Sequence, residues 1–101
     1  GTWQGKCGKS LEYIEVWTIT GIGESYKVCG MYYNSSGAQV GNFIGSNVRF
    51  DKGHLYFTMT IIPPQDSNWP AIDEIDAFLM DNDTILFNTT LQKAIKLIRQ
   101  N

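Results

Sequence analysis

The chain has few of the side chains that metal centres and most active sites need. Its 101 residues contain one histidine, His54, and two cysteines, Cys7 and Cys29. A structural zinc site takes four ligands, and these three side chains are too few to build one. We therefore expect neither a metal ion nor a cofactor.

Two further absences narrow the choice of partner. Eight Lys and Arg residues against ten Asp and Glu residues give a formal net charge of −2, and these charges are scattered. No basic stripe is available to neutralise phosphates, which argues against a nucleic acid partner. No apolar run approaches the roughly 20 residues of a membrane-spanning helix. We expect no nucleic acid partner and no membrane span.

The cysteines and the N-terminus bear on where the protein works. Because the chain begins with Gly1, we expect a processed mature form or an excised domain. A disulfide between Cys7 and Cys29 would require an oxidising compartment, whereas two buried thiols would act as small hydrophobic side chains. Both alternatives stay open. Three Asn-x-Ser/Thr patterns fit an exported protein, and they begin at Asn34, Asn82 and Asn88. The expected location is secreted or periplasmic.

What the chain does contain is a series of short strand-like runs separated by turn residues. Gly, Asn and Asp recur where tight hairpins need a positive φ or tolerate one. Such spacing predicts an all-β meander in a single domain covering 1–101. The turn signals fall at 8–10, 21–23, 34–37, 51–53 and 81–83. The predicted strands are 13–20, 26–33, 39–44, 47–50 and 55–62.

The last third of the chain admits both helix and strand. Apolar residues in 69–79 and in 91–100 occur at helical spacing, with Pro and acidic residues near the first of these segments. The alternative is a hairpin of 74–80 and 84–90, followed by a last strand within 91–100. We favour strands, because a final strand pairing with the first would remove both exposed sheet edges.

The two ends of the chain carry a family resemblance. A meander that opens with Gly1-Thr2-Trp3 and carries Arg99 in its last strand resembles the calycin superfamily, which includes lipocalins and avidin-like proteins. The resemblance implies an up-and-down antiparallel barrel of about eight strands whose closed end is plugged by Trp3. It also implies that Arg99 stacks on the indole ring, as a planar guanidinium can. These two residues are therefore expected to have a structural role.

The resemblance implies an aptitude for binding but transfers no ligand. The chain lacks the Thr-Asp-Tyr motif of many lipocalins, and it is shorter than they are. Aromatic side chains nevertheless exceed what a small core needs, and apolar pockets suit small amphipathic ligands. The predicted ligand-binding residues are Trp17, Tyr26, Tyr33, Phe57 and Trp69.

One of these residues stands in the longest irregular stretch. Segment 63–70 contains three prolines, which exclude it from a central strand, and loops of this length often bind ligands. Trp69 is then either available to a partner or packed down to anchor the loop. Phe57 likewise has a simpler role as a core residue in an alternating strand.

We predict a non-enzymatic calycin-like protein that binds a small hydrophobic or amphipathic molecule. The alternative is a protein-interaction module, either a secreted inhibitor or an accessory domain of a larger exported protein. An enzyme would have to use His54 with Cys29, or paired carboxylates among residues 73, 74 and 76. An exposed hairpin histidine and an acidic strand entrance explain these residues more simply.

Overall fold

Eight antiparallel strands close into one barrel in the computed structural model, which describes residues 1–22 and 25–100, without the side chain of Ile22. No helix occurs in this part of the chain, and the predicted all-β meander is confirmed. Each strand pairs with the next one along the chain, and the last pairs with the first. The strands are β1 Thr2–Cys7, β2 Tyr13–Ile22, β3 Ser25–Tyr33, β4 Gln39–Asp51, β5 His54–Ile62, β6 Ile72–Leu79, β7 Thr84–Phe87 and β8 Ile95–Gln100.

Strand β4 differs from the prediction because two predicted strands, 39–44 and 47–50, form one. Its ladder with β5 runs on both sides of a register shift between Ser46 and Arg49, where Asn47 has a φ of 54°. A bulge of this kind bends a strand without ending it. The turn predicted at 21–23 lies partly outside the described residues, and its first two residues belong to β2.

The end of the chain is strand, as favoured from its sequence. Segment 91–100 contains β8, which pairs with β7 on one side and with β1 on the other. A helix there would have left both β1 and β7 with unpaired backbone groups. Among the described residues no helix has the length and apolar character to cross a bilayer.

The interior is built from alternate residues of every strand, because successive side chains of a strand point to opposite faces. Trp17 is fully buried and packs against three phenylalanines at centroid distances of 4.5–5.7 Å. Gly30 lies between Trp17 and Phe43 across the sheet, and a Cβ there would collide with the Phe43 ring. The missing side chain therefore leaves the room that the two large rings occupy.

Trp3 lies at one end of this interior, opposite Arg99 in the β1–β8 ladder. The Trp3 side chain is buried, and the Arg99 guanidinium carbon lies 5.4 Å from the indole centroid. Arg99 Nη1 also donates a hydrogen bond to the carbonyl oxygen of Asn82, 3.3 Å away. The guanidinium is thus fixed between the ring and the β6–β7 connection at this end of the barrel.

The other end of the barrel carries the longer connections. Segments 8–12, 63–71 and 88–94 link β1 to β2, β5 to β6 and β7 to β8, and all three lie at that end. The connections 52–53 and 80–83 at the Trp3 end are short turns. Within the described residues, these long connections border a cavity at the end of the barrel opposite Trp3.

Candidate functional site

A cavity of about 810 Å³ opens among the three long connections. Its lower wall consists of inward-facing residues of β1, β2, β3, β5, β6 and β8, and its rim consists of residues from segments 8–12, 63–71 and 88–94. The volume falls within the roughly 300–1,000 Å³ of typical small-molecule sites. This cavity is the candidate functional site.

Glu15 is a carboxylate in the wall of this cavity and is only 2% exposed. It occurs on β2 between Tyr13 and Trp17, and the alternation of the strand turns all three side chains inward. Its Oε2 accepts a hydrogen bond from Trp17 Nε1 at 2.6 Å. Burial raises the pKa of Glu15 to about 7, although hydrogen bonds from Trp17, Cys7 and Tyr32 oppose the rise. The group therefore changes charge near neutral pH.

Cys7 and Tyr32 complete the polar cluster around Glu15. Burial raises the pKa of both groups, and the negative charge of Glu15 raises each further. Tyr32 Oη also lies 3.6 Å from the sulfur of Met59, within reach of a weak hydrogen bond. Both side chains stay neutral at ordinary pH, so Glu15 is the one member of this cluster that titrates near neutrality.

Trp69 forms the aromatic wall of the cavity. Its ring stands nearly perpendicular to Tyr13 and to Tyr32, at centroid distances of 5.3 and 4.8 Å. Edge-to-face geometry of this kind is favourable for aromatic pairs. Trp69 is half-buried, so it both anchors segment 63–71 and presents ring surface to the cavity.

The rim is held by two sets of hydrogen bonds, one between a connection and β6 and one between two connections. The carboxylate of Asp73, at the start of β6, accepts bonds from the backbone N–H and the hydroxyl of Thr90 at 2.9 and 3.0 Å. Gln92 Oε1 accepts a bond from the backbone N–H of Gly8 at 2.9 Å, which joins two of the long connections. The hydroxyl of Ser67, also at the cavity, is buried and has no partner among the described residues.

Charge around the cavity is predominantly negative. Four acidic and two basic side chains border it, which gives 2 − 4 = −2 with every group ionised. Of the acids, Glu15 and Asp73 are buried, whereas the other two stand exposed at the rim. The charged residues are Glu12, Glu15, Asp66, Asp73, Lys9 and Lys93.

The structure separates the five predicted ligand-binding residues. Trp69 borders the cavity. Trp17 lies below the cavity and is hydrogen-bonded to Glu15, which lines it. Phe57 belongs to the core. Tyr26 and Tyr33 face outward, the first against Phe50 at 5.8 Å and the second with its hydroxyl 3.1 Å from the Met31 sulfur.

The two cysteines are free thiols on opposite faces of the sheet. Cys7 points into the barrel and is buried, whereas Cys29 is exposed on the outside of β3. Of the two alternatives for this pair, the structure has the thiols and not the disulfide. The buried-thiol description holds for Cys7 alone.

The residues considered for catalysis also lie apart. Asp73 faces inward while Glu74 and Asp76 face outward, so the three carboxylates form no pair in the cavity. His54 Nδ1 lies 2.7 Å from Asp76 Oδ1 on the outer face, at the opposite end of β5 from the cavity. Within residues 1–22 and 25–100 no group of three or more His, Cys, Asp and Glu side chains is placed to hold a metal ion.

No protein-family model, curated protein sequence or solved structure matches the chain. The eight-stranded antiparallel barrel is compatible with a calycin-like fold.

The residue that sequence reasoning missed is Glu15. A charged residue in a strand is normally assigned to the solvent face, and both faces of β2 looked partly apolar. The available signal was the alternation of side chains along the strand, which puts Glu15 on the same face as Tyr13, Trp17 and Ile19. Once Trp17 is placed inside the barrel, Glu15 must follow it.

Proposed function

We propose that the chain is a non-enzymatic, calycin-like binding protein that holds a small amphipathic molecule in the cavity beside Trp69. One observation carries the proposal: the cavity combines an aromatic wall with a buried carboxylate, Glu15, at its floor. Small-molecule sites are typically apolar concavities with a few polar groups that fix orientation. A barrel that was only a scaffold would fill this end with its own apolar side chains.

The test is a titration with Nile red, a neutral dye whose emission rises in an apolar site. We expect saturable binding of one dye per chain. Replacing Trp69 by Ala removes part of the wall and should weaken binding about tenfold or more, as loss of a buried aromatic contact does. Phe78→Ala is the matched control, because Phe78 is exposed on the outer face of β6 and lies away from the cavity. Circular dichroism would show that both variants keep the barrel.

Two results would contradict the proposal. The first is the absence of saturable dye binding, and the second is an equal loss in both variants. A native mass spectrum beside a denatured one adds a direct observation, because a retained ligand appears as extra mass that disappears on denaturation.

The second candidate function is protein interaction, and one feature of the outer surface favours it. Ile44, Ile62 and Ile72 are 62–65% exposed on adjacent strands, and Met31 is 45% exposed beside them. Clustered exposed apolar residues are typical of interaction surfaces. Ile44→Lys should abolish a complex that uses this face and leave dye binding unchanged. Native mass spectra of both proteins with a candidate partner provide the measurement.

A further inference from the structure

We propose that the polar group of the ligand is a protonated amine, which Glu15 binds as a carboxylate while the rings of Trp69, Tyr13 and Tyr32 enclose it. The proposal rests on the proposed function, since it names the ligand class for the same cavity. It follows from the position of a buried acid beneath an aromatic wall.

The first argument is the cost of the buried carboxylate. An ionised carboxyl group out of contact with water is unfavourable unless a charge or several hydrogen bonds compensate it. Trp17 Nε1 supplies one strong bond to Oε2. Cys7 and Tyr32 add hydrogen bonds but, as neutral groups, bring no positive charge, and burial still raises the pKa of Glu15 to about 7. A ligand cation at the floor would supply the charge that the protein itself does not place there.

The second argument is the chemistry of the wall. Aromatic faces attract cations through their quadrupoles, and the attraction increases when the cation is out of water. The Trp69 plane is nearly perpendicular to both tyrosine planes, and all three residues line the cavity. Such an arrangement suits an ammonium group on an apolar stem better than it suits a carboxylate, which would meet Glu15 as a like charge.

The third argument is the balance of charge at the rim. Lys9 and Lys93 are the basic residues there, and both are exposed, whereas the acids include the buried Glu15 and Asp73. Both carboxylate oxygens of Asp73 accept bonds from Thr90, and we therefore assign the amine to Glu15.

This amine site would bind its ligand more tightly as the pH rises. The titratable groups next to Glu15 are Cys7 on β1 and Tyr32 on β3. Beyond them, Glu12 before β2 acts on Cys7, and Asp73 on β6 acts on Tyr32. Cys7 and Tyr32 have raised pKa values and stay neutral, so Glu15 governs the change near neutrality. An alkylamine remains protonated up to about pH 9.

The test compares three probes of similar shape, which are 2-phenylethylamine, 2-phenylethanol and phenylacetate. The affinity of each probe is measured from its displacement of Nile red from the wild-type protein at pH 6 and at pH 8. At pH 8 we expect the amine to bind at least about tenfold more tightly than the alcohol, because its hydrogen bond to the carboxylate is charge-assisted. Its affinity should rise roughly tenfold from pH 6 to pH 8, because the ionised fraction of a group titrating near 7 rises by that factor.

Glu15→Gln separates the charge from the shape. The glutamine still accepts the Trp17 bond, so the preference for the amine over the alcohol and its pH dependence should disappear. Glu74→Gln makes the same charge change on the outer face and should alter neither. Thermal unfolding confirms that both variants are folded.

The outcomes distinguish this inference from the function beneath it. If Nile red binds but the alcohol or phenylacetate binds as well as the amine, the amine assignment is wrong and the cavity remains a binding site. An amine affinity that falls with rising pH also overturns it. If Nile red binds and no probe displaces it, the amine assignment alone is wrong. If Nile red shows no saturable binding, both the amine assignment and the proposed function are wrong.

Discussion

Trp17 donates its indole N–H to Glu15 over 2.6 Å inside the barrel, and the two residues are neighbours on one face of β2. The bond stabilises the ionised carboxylate, while burial destabilises it by more, so the pKa rises to about 7. Glu15 therefore links the floor of the cavity to Trp17 in the core of the barrel.

The first prediction concerns stability and pH. The pKa of Glu15 is about 7 in the folded chain and 4.5 as its ordinary value. Between these values the folded state holds the proton and the unfolded state has lost it. The free energy of unfolding should therefore fall by about 3 kcal/mol as the pH rises across this window.

Urea unfolding of the wild type and of Glu15→Gln at pH 5 and pH 8 measures this term. The difference between the two proteins isolates Glu15 from the other carboxylates. Relative to the variant, the wild type should be less stable at pH 8 than at pH 5. Parallel pH profiles would show that Glu15 titrates normally and that its burial has no cost.

The second prediction concerns the Trp3 end of the barrel. Trp3→Ala should lower the free energy of unfolding by about 3–5 kcal/mol, because it removes a large buried ring. Arg99→Ala should cost about 1 kcal/mol through the lost cation–π contact. Arg49→Ala is the matched control and should cost less, since Arg49 lies 5.8 Å from the Tyr56 ring, which is only half-buried. A near-neutral Trp3→Ala would mean that this ring does not hold the barrel end.

The third prediction concerns the space left by Gly30. A methyl group there would meet the Phe43 ring, and the core would have to shift. Gly30→Ala should therefore destabilise the barrel by about 1–3 kcal/mol, the usual effect of overpacking. Cys29→Ala, one residue earlier and facing outward, should stay within about 0.5 kcal/mol. Equal denaturant midpoints for the two variants would disprove the packing argument.

The fourth prediction concerns the thiols. Ellman's reagent should label one thiol per native chain quickly and both after denaturation, since Cys29 is exposed and Cys7 is buried with a raised pKa. Cys29→Ser should remove the fast reaction. If Cys7→Ser removed it instead, the cavity floor would be open to the reagent.

Much of the barrel was predictable from the chain because local signals agree with the final ladder. In β5, Leu55, Phe57, Met59 and Ile61 alternate with polar residues, and the same four are buried. The β4 bulge was not predictable, because Gly45 and Ser46 interrupt the run of strand-forming residues and only the partner strand keeps the ladder continuous.

The site was harder to predict than the fold. Trp69 could be found from its loop, since an aromatic residue among prolines stands out. Tyr26 and Tyr33 could not be excluded, because the inner face of β3 is fixed by closure of the barrel and not by its own composition. The inward orientation of Glu15 could not be predicted for the same reason, because only closure of the barrel determines which alternate residues of β2 face inward.

We expect the β1–β8 pairing to form late during folding. Seven of the eight strand pairs join neighbours in sequence, but Thr2 meets Gln100 only when nearly the whole chain is assembled. Contacts between such distant residues carry the largest loop-closure entropy and tend to form late. Trp3 and Arg99 lie on this seam, so their contact should govern how fast the native barrel opens and should leave the rate of its formation almost unchanged. Stopped-flow kinetics of Trp3→Ala would record this as faster unfolding with nearly wild-type refolding, which makes the Trp3–Arg99 contact a determinant of kinetic lifetime.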